Sequence, residues 1–437
     1  MQKKVLKNAG WIIVCKAVKA VLMLIVTAIT ARYLGPSKYG LISYAAGLVA
    51  FVLPIMQLGL NNTMVHEIVE RPEQEGKVVG TSILMSVASA FLCIIGVVSF
   101  TLIANAGETD TIIVSAIYSV LLVFQAIEFI QYWFQSKLLS KFTAIAMLVA
   151  YIAVSIFQIV LVVCGVSVYF FAISYSLDFL IIDIILIIIY NKKSDQKLSF
   201  SFSLAKELFS VSKYYIIASL LNAVFHQTDR IMLKLMIGNG ETGIYSAAAT
   251  CAEMLSFIFA AVLDSMRPEI FRNKKENNEK YEKSVTELYS VMIYFSLIVC
   301  VVITIAAPLI IKVMYGEQYL NSVSVLRLLT WHTVFVYIGA VRNIWILAEG
   351  KQQYIWVINL GGALANIILN LLLIPSMGAM GAAVATLVTH FINHIVTGLI
   401  IKPLWRNNTL LLNGLNPKNL KGVFTALKNK TDGEDNG

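Results

Sequence analysis

"ARYLGPSKYGLISYA", residues 31–45, closes one long apolar run and opens the next, and "KLMIGNGETGIYSAA", residues 234–248, does the same again. At a single offset of 203 residues Gly35 falls on Gly238, Gly40 on Gly243, Ser43 on Ser246 and Ala45 on Ala248. Read as a repeat, the unit is half of the apolar region. Two glycines five apart are also common at turns between helices, so the offset alone leaves chance repetition open.

The runs around these turns set the class of protein. The 437 residues are 58% apolar and 14% charged, with a mean hydropathy of +0.77, well outside the composition of soluble domains. Windows of about 20 apolar residues, the length that spans a bilayer, predict twelve segments. They lie at 10–32, 39–62, 80–104, 111–135, 142–164, 169–190, 212–236, 243–268, 287–311, 323–347, 354–375 and 381–402. The expected fold is an all-α polytopic membrane protein with twelve transmembrane helices in two six-helix bundles. Six spans, an even number, separate the two turns, so the halves share one orientation and the pseudo-two-fold axis runs along the membrane normal. The expected division is a first bundle over 1–191, a cytoplasmic linker over 192–211, a second bundle over 212–402 and a cytoplasmic tail over 403–437.

Charge orients the spans. Of the 34 Lys and Arg residues, 24 lie in one alternate set of connections and only Arg32, Lys38 and Lys312 in the other. By the positive-inside rule both termini are cytoplasmic. The net charge of +9 then reflects topology and anionic membrane lipids and requires no nucleic acid. The start, "MQKKVLKNAGWIIVCKAVKA", has a basic end, but Lys16 and Lys19 interrupt the apolar stretch a signal peptide needs, so it reads as a retained first helix. In the tail, "NLKGVFTALKNK" sets Leu420, Val423, Phe424 and Leu427 on one helical face between lysines, the pattern of an interfacial helix; a solvated tail is the alternative. The five cysteines all sit in apolar runs, without disulfide or zinc spacing.

Thirteen charged residues fall within the spans or just inside their ends: Lys16, Lys19, Arg230, Lys234, Arg267, Arg327, Arg342, Glu128, Asp178, Asp183, Asp229, Glu253 and Asp264. Facing lipid at the bilayer centre they would cost roughly 30 to 45 kcal/mol together, at about 2.5 to 3.5 each. Most must therefore face a polar interior or one another. Lys16 and Lys19 are three apart on the first helix, and His226, Arg230 and Lys234 follow a four-residue spacing on the seventh, so each set lies along one face. If these helices are symmetry mates, they line one cavity with positive charge. Two readings follow for Lys16, Lys19, His226, Arg230, Lys234 and Arg267: a surface for a phosphate or diphosphate, or ion pairing and snorkelling, with Arg267 joined to Asp229 or Asp264. Asp178 and Asp183 point about 140° apart on their helix, so they form no carboxylate pair by themselves. Each, with Asp229, is a candidate to take up a proton or sodium ion, or else an ordinary ion-paired contact. His332, His390 and His394 read as hydrogen-bonded helix contacts.

No phosphate loop, nucleotide fingerprint, metalloprotease motif or nucleophile elbow is present. Catalysis, a cofactor and a metal centre are not expected, and any transport is secondary. Pro54 and Pro308 free backbone carbonyls within spans and mark places to bend.

Several stretches together resemble a known family. "HQTDRIMLKLMIGNGETGIYSAA" at 226–248, "MYGEQYLNSVSVLRLLTW" at 314–331 and "LAEGKQQYIWVINLGGALANIILNLLLIPSMGAMGAAVATLVTH" at 347–390, with "ARYLGPSKYG" and "QLGLNN", look like the polysaccharide-transport family of flippases, the Wzx-type exporters of O-antigen and capsule repeat units. The resemblance covers residues 5–402. It implies the fold shared with multidrug and toxin extrusion transporters and an undecaprenyl-diphosphate-linked oligosaccharide as cargo, turned from the cytoplasmic to the outer leaflet of the bacterial inner membrane. It further implies a cationic cavity for the diphosphate, a role that Lys16, Lys19 and Arg230 fit by position and chemistry. Asp229 and Arg230 begin its "DRIM" motif. A proton or sodium ion is the expected coupling ion, membrane lipids are the expected surroundings, and a polysaccharide polymerase complex is a possible partner. The alternatives are an exporter of small drugs or metabolites, and a scaffold for glycan assembly.

Overall fold

A computed structural model describes the backbone of residues 2–420 and the side chains of residue 15 and residues 18–420. The side chain of Lys16 and the expected interfacial helix beyond Leu420 lie outside the described residues. Among those described, the chain is helical with irregular connections and no strand, as an apolar solvent demands, because a helix satisfies its own backbone donors and acceptors.

Among the described residues, eleven helices are long and apolar enough to cross a membrane: α1 (Gln2–Met56, apolar from Val18), α2 (Pro72–Ala104), α3 (Thr109–Ser136), α4 (Ser140–Val163), α5 (Val168–Lys193), α6 (Phe202–Met236), α7 (Asn239–Glu276), α8 (Asn278–Met314), α9 (Ser322–Ala348), α10 (Gln352–Met377) and α11 (Ala379–Ile400). A multi-pass membrane protein follows. The first two expected spans merge in this count, because no loop separates them. α1 is interrupted only at Gly35, with φ 72° and ψ 169°. Pro36 disfavours helical geometry in the residue before it, and glycine accepts the positive φ that results. Pro36 then opens the next helical segment, where its missing N–H costs nothing. The 39 residues from Val18 to Met56 would run about 58 Å as one straight helix, twice the thickness of a bilayer's apolar core; the break at Gly35 divides them. The second copy of the turn breaks at the matching residue, Gly238, with φ 128°.

The two copies touch. A Cβ on Gly40 would fall on the carbonyl oxygen of Asn239, and a Cβ on Gly243 on that of Pro36. Shifting by 203 residues turns the first contact into the second, so the pairing is self-complementary in the manner of a two-fold interface. These glycines are a packing seam between helices, the small-residue approach that membrane proteins use where lipid gives no hydrophobic drive.

The described residues form two compact units, the first reaching to Ser246 with Met314–Gln318, the second Ala247–Val313 and from Tyr319 onward. In the first, α6 lies along α1 and α2, and the core gathers around Leu60, Met64, Phe129, Trp133, Phe134 and Tyr190. Within the expected 192–211 link, α6 begins at Phe202 with the Ser201 hydroxyl accepting from Leu204 N. Its remaining residues form a strap on α2: Ser199 N donates to Gly76 O at 3.3 Å, Gly76 N to Gln196 Oε1 at 3.1 Å and Ser201 N to Thr81 Oγ1 at 3.1 Å. In the second unit the core centres on Phe259, Tyr281, Tyr289, Met292, Val341 and Trp345. A short helix, α12 (Trp405–Gly414), docks on α8 through Tyr289 OH to Asn407 Oδ1 at 2.9 Å and Ser290 Oγ to Gly414 O at 2.7 Å. Side chains such as Leu92, Ile103 and Ile305 stand exposed on the spans, as lipid-facing positions do.

Candidate functional site

The in-span charges of the first unit sort into two neighbourhoods. In one, α1 presents Lys19 to α5 and α4: its Nζ lies 3.8 Å from Asp178 Oδ2 and 5.2 Å from the centre of the Tyr151 ring. Glu128 of α3 is within electrostatic range of both Lys19 and Asp178, and Asp183 within range of Glu128. Asp183 is 2% exposed, and neither of its carboxylate oxygens has a hydrogen-bond partner. A cavity of about 330 Å³ opens beside this cluster, lined by Lys19, Cys15, Gln131, Gln135, Thr143 and Met147. Three carboxylates around one described cation leave an excess of negative charge that an apolar surrounding penalises. A proton or a small cation relieves it.

The second neighbourhood is built on α6, where His226, Arg230 and Lys234 meet different surroundings. Lys234 is only 5% exposed and is closed off by an ion pair with Glu108, from the turn between α2 and α3. Glu108 also accepts from Thr111 Oγ1 at 2.6 Å. Burial pushes the Glu108 carboxyl up, but its bonds to Lys234, Thr111 and Asn105 and the lysine's charge win and hold it below the usual carboxylate range. Lys234 is therefore held in a buried pair with Glu108. Arg230 behaves differently. Its Nη1 donates to the neutral Gln227 Oε1 at 3.2 Å, its Nε is buried without a hydrogen bond, and no acid pairs with it among the described residues. Its charge reaches Tyr118 of α3. Tyr118 packs against Tyr175 at 5.1 Å between ring centres, and Tyr175 interacts with Tyr151. A row of tyrosines thus runs between the Arg230 and Lys19 neighbourhoods.

The remaining candidates fall elsewhere. Asp229 is buried and accepts from Tyr245 OH at 2.6 Å, a satisfied contact that ties α6 to α7 across the Gly238 break. His226 is exposed, its ring edge-on to Phe225. Arg267 is an exposed residue of the second unit, 3.5 Å from Asp264 on its own helix. Glu108 lies outside the apolar runs, and Tyr151, Gln131 and Gln135 are neutral, so charge within the spans points to none of the four. Uncharged polar side chains within apolar helices were the available signal for the last three.

The description "Polysaccharide biosynthesis protein" belongs to the family model that matches residues 5–274. The chain belongs to this family. A putative O-antigen transporter of Shigella flexneri is 24% identical over 398 residues, covering 87% of this chain and 94% of the relative. Among solved structures, the lipid II flippase MurJ superposes with a TM-score of 0.67 at 15% identity, over 92% of this chain and 90% of that one. A multidrug resistance transporter of the MATE family in the MOP superfamily does so with a TM-score of 0.66 at 14% identity, over 89% and 96%. The fold is that of the MOP-type transporters.

Proposed function

We propose that this chain is a flippase that moves undecaprenyl-diphosphate-linked oligosaccharide from the cytoplasmic to the outer leaflet by alternating access, coupled to a proton or sodium gradient. The single observation behind this reading is Arg230: a half-buried guanidinium with an unpartnered Nε and no acid beside it among the described residues. That is a donor set suited to a diphosphate. The tyrosine row adds flat faces with hydroxyl ends, the chemistry sugars pack against. The matched O-antigen transporter supports the cargo class. In this reading Lys16 and Lys19 extend the cationic surface, and Asp178 or Asp183 accepts the coupling ion. The architecture is twelve spans, with Gly35 dividing α1, in two six-helix bundles over 1–191 and 212–402; the reciprocal glycine seam supports the two-fold relation. The 24-to-3 division of Lys and Arg supports cytoplasmic termini in a bacterial inner membrane.

The test uses purified chain in vesicles loaded with a fluorescent undecaprenyl-diphosphate oligosaccharide, with leaflet exchange followed by quenching. Arg230→Ala is expected to insert normally and exchange slowly. Exchange at the unsubstituted rate overturns the assignment of the diphosphate to Arg230.

A second reading, an exporter of small drugs or metabolites, draws on Glu128, Asp178 and Asp183. Three acids beside a cavity suit a cationic substrate. Transport of a lipophilic cation, blocked by Asp178→Asn and indifferent to Arg230→Ala, would favour it.

A further inference from the structure

The second unit contains a cluster that the proposed path does not use. His332 of α9 and His390 of α11 have ring centres 5.0 Å apart, and His394 stacks on His390 at 5.5 Å. The chain holds five histidines in all, so three of them meet here. His394 lies in a π-helical turn, Ile392–Val396, a distortion that recurs at functional positions of membrane and soluble helices.

Arg342 of α9 grips that turn. It is 2% exposed; its Nη1 donates to Asn393 O at 2.9 Å, and to His394 O and Thr397 Oγ1 at 3.3 Å each, while its Nη2 lies 3.1 Å from His394 Nδ1. A guanidinium only donates, so His394 Nδ1 accepts and the ring is the neutral tautomer with its proton on Nε2. α9 makes room for the ring: a Cβ on Gly339 would fall on the His394 imidazole. The other titratable and charged groups nearby are engaged. Tyr337 of α9 stacks on Phe259 at 3.7 Å and feels the charge of Glu253. Asp264 and Arg267 of α7 pair with each other. On α8, Tyr289 bonds Asn407 and Cys300 bonds Thr330 O. Arg406 of α12 pairs with Glu282, and α10 brings no charged residue.

We propose that His332, His390 and His394 form a single proton-binding site, and that a proton arriving on His394 Nδ1 breaks its contact with Arg342 Nη2 and weakens the arginine's hold on the turn. The proton is taken from water and added to the ring nitrogen; the nitrogen becomes a donor, and the Arg342 Nη2 contact is lost because two donors cannot share it. Rings about 5 Å apart, one of them against a guanidinium, interact too strongly to ionise independently. The site therefore holds about one proton among three rings. Its consequence is mechanical: protonation loosens α11 from α9 at the π turn, and deprotonation restores the grip. This inference rests on the reading of the chain as a cation-coupled transporter and names the ion as a proton.

The experiment is ring-nitrogen NMR of full-length protein in lipid nanodiscs across about pH 5 to 8, the range in which histidine titrates. Single substitutions to Gln at each of the five histidines assign the signals. The expected result is a His394 ring protonated on Nε2 at the alkaline end and a coupled titration of the trio, with His390→Gln moving the His394 midpoint and leaving exposed His66 unchanged. Gly339→Ala, which removes no titratable group, is expected to displace the His394 ring and alter its tautomer signal. Three independent titrations resembling that of His66, or a His394 protonated on Nδ1, overturn the proposal. Vesicles with an imposed pH gradient separate its failure from that of the flippase reading. Loss of gradient-driven exchange in His332→Gln, with gradient-free exchange retained, supports the proton site; unchanged driven exchange overturns it. Coupled titration in a protein that exchanges no oligosaccharide in any gradient sustains the site and sinks the flippase reading.

Discussion

Gly40 and Gly243 occupy the same place in the two copies of one turn, and each lacks a side chain where the other copy's carbonyl passes. The contact maps onto itself under the 203-residue shift, so a single geometric fact explains both glycines.

Alanine at either position sets two effects against each other. In a helix Gly→Ala gains about 1 kcal/mol of propensity, whereas overpacking a close contact costs about 1 to 3 kcal/mol. Gly40→Ala and Gly243→Ala are each expected to lower the thermal midpoint of the detergent-solubilised protein. The double variant is expected to cost less than the two singles added, because one displacement of the seam accommodates both methyl groups. A raised midpoint in either single variant would show that the seam is not tight.

The Glu108–Lys234 pair gives a dependence on pH. Because the folded carboxyl is held below its ordinary value, its contribution is fully present above about pH 4.3, the ordinary glutamate value, and is lost as pH falls through the folded value. Glu108→Gln is expected to remove that acid-side slope from the thermal midpoint and to leave Lys234 buried and unpaired. Breaking a fully buried pair costs about 3 to 5 kcal/mol; with the Glu108 side chain 46% exposed, about 1 to 2 kcal/mol is expected here. Adding Lys234→Met should recover much of the loss, which a double-mutant cycle measures.

Lys19 and Asp178 are set more loosely, at 3.8 Å with the lysine side chain 32% exposed. Their coupling energy is expected at about 0.5 to 1 kcal/mol in a cycle of Lys19→Met and Asp178→Asn. Asp178→Asn alone frees the lysine charge and is expected to tighten binding of a diphosphate lipid to the purified protein, measured by the quenching of a labelled lipid. Weaker binding would place Lys19 outside the anion surface.

Arg230→Lys separates charge from geometry. Lysine keeps the charge and loses the planar fork, so an effect between wild type and alanine is expected. For alanine, loss of one charge-assisted bond of about 1.5 to 3 kcal/mol corresponds to about 10- to 150-fold in apparent affinity for the lipid-linked cargo. Equal affinities in all three proteins would exclude a diphosphate contact at this residue.

Much of the fold was legible in the chain because membrane insertion is a local problem. A run of about 20 apolar residues must be helical wherever it packs, and a glycine before a proline must break the helix whatever surrounds it. The Gly35 break and the paired turns could be read in that way. Phe202, Phe209 and the intervening charges begin α6 before the apolar run starts, the helix being extended by its Ser201 cap and by packing of Leu204 and Leu208 in the first core. The helix α12 escaped notice because ten residues of mixed character are held by Tyr289 and Ser290, more than a hundred positions earlier.

The candidate site divides along the same line. The sequence by itself determined that most of the thirteen in-span charges face a polar interior or one another, since the cost of leaving them in lipid depends only on their presence there. Which partners they find was decided by tertiary structure. Lys234 shares a helical face with Arg230, yet it meets Glu108, 126 residues away, while Arg230 donates to a glutamine of its own helix and has no acid partner among the described residues. Helical spacing fixes which side chains share a face, but the rotation and packing of each helix choose what that face meets, and those depend on the whole chain.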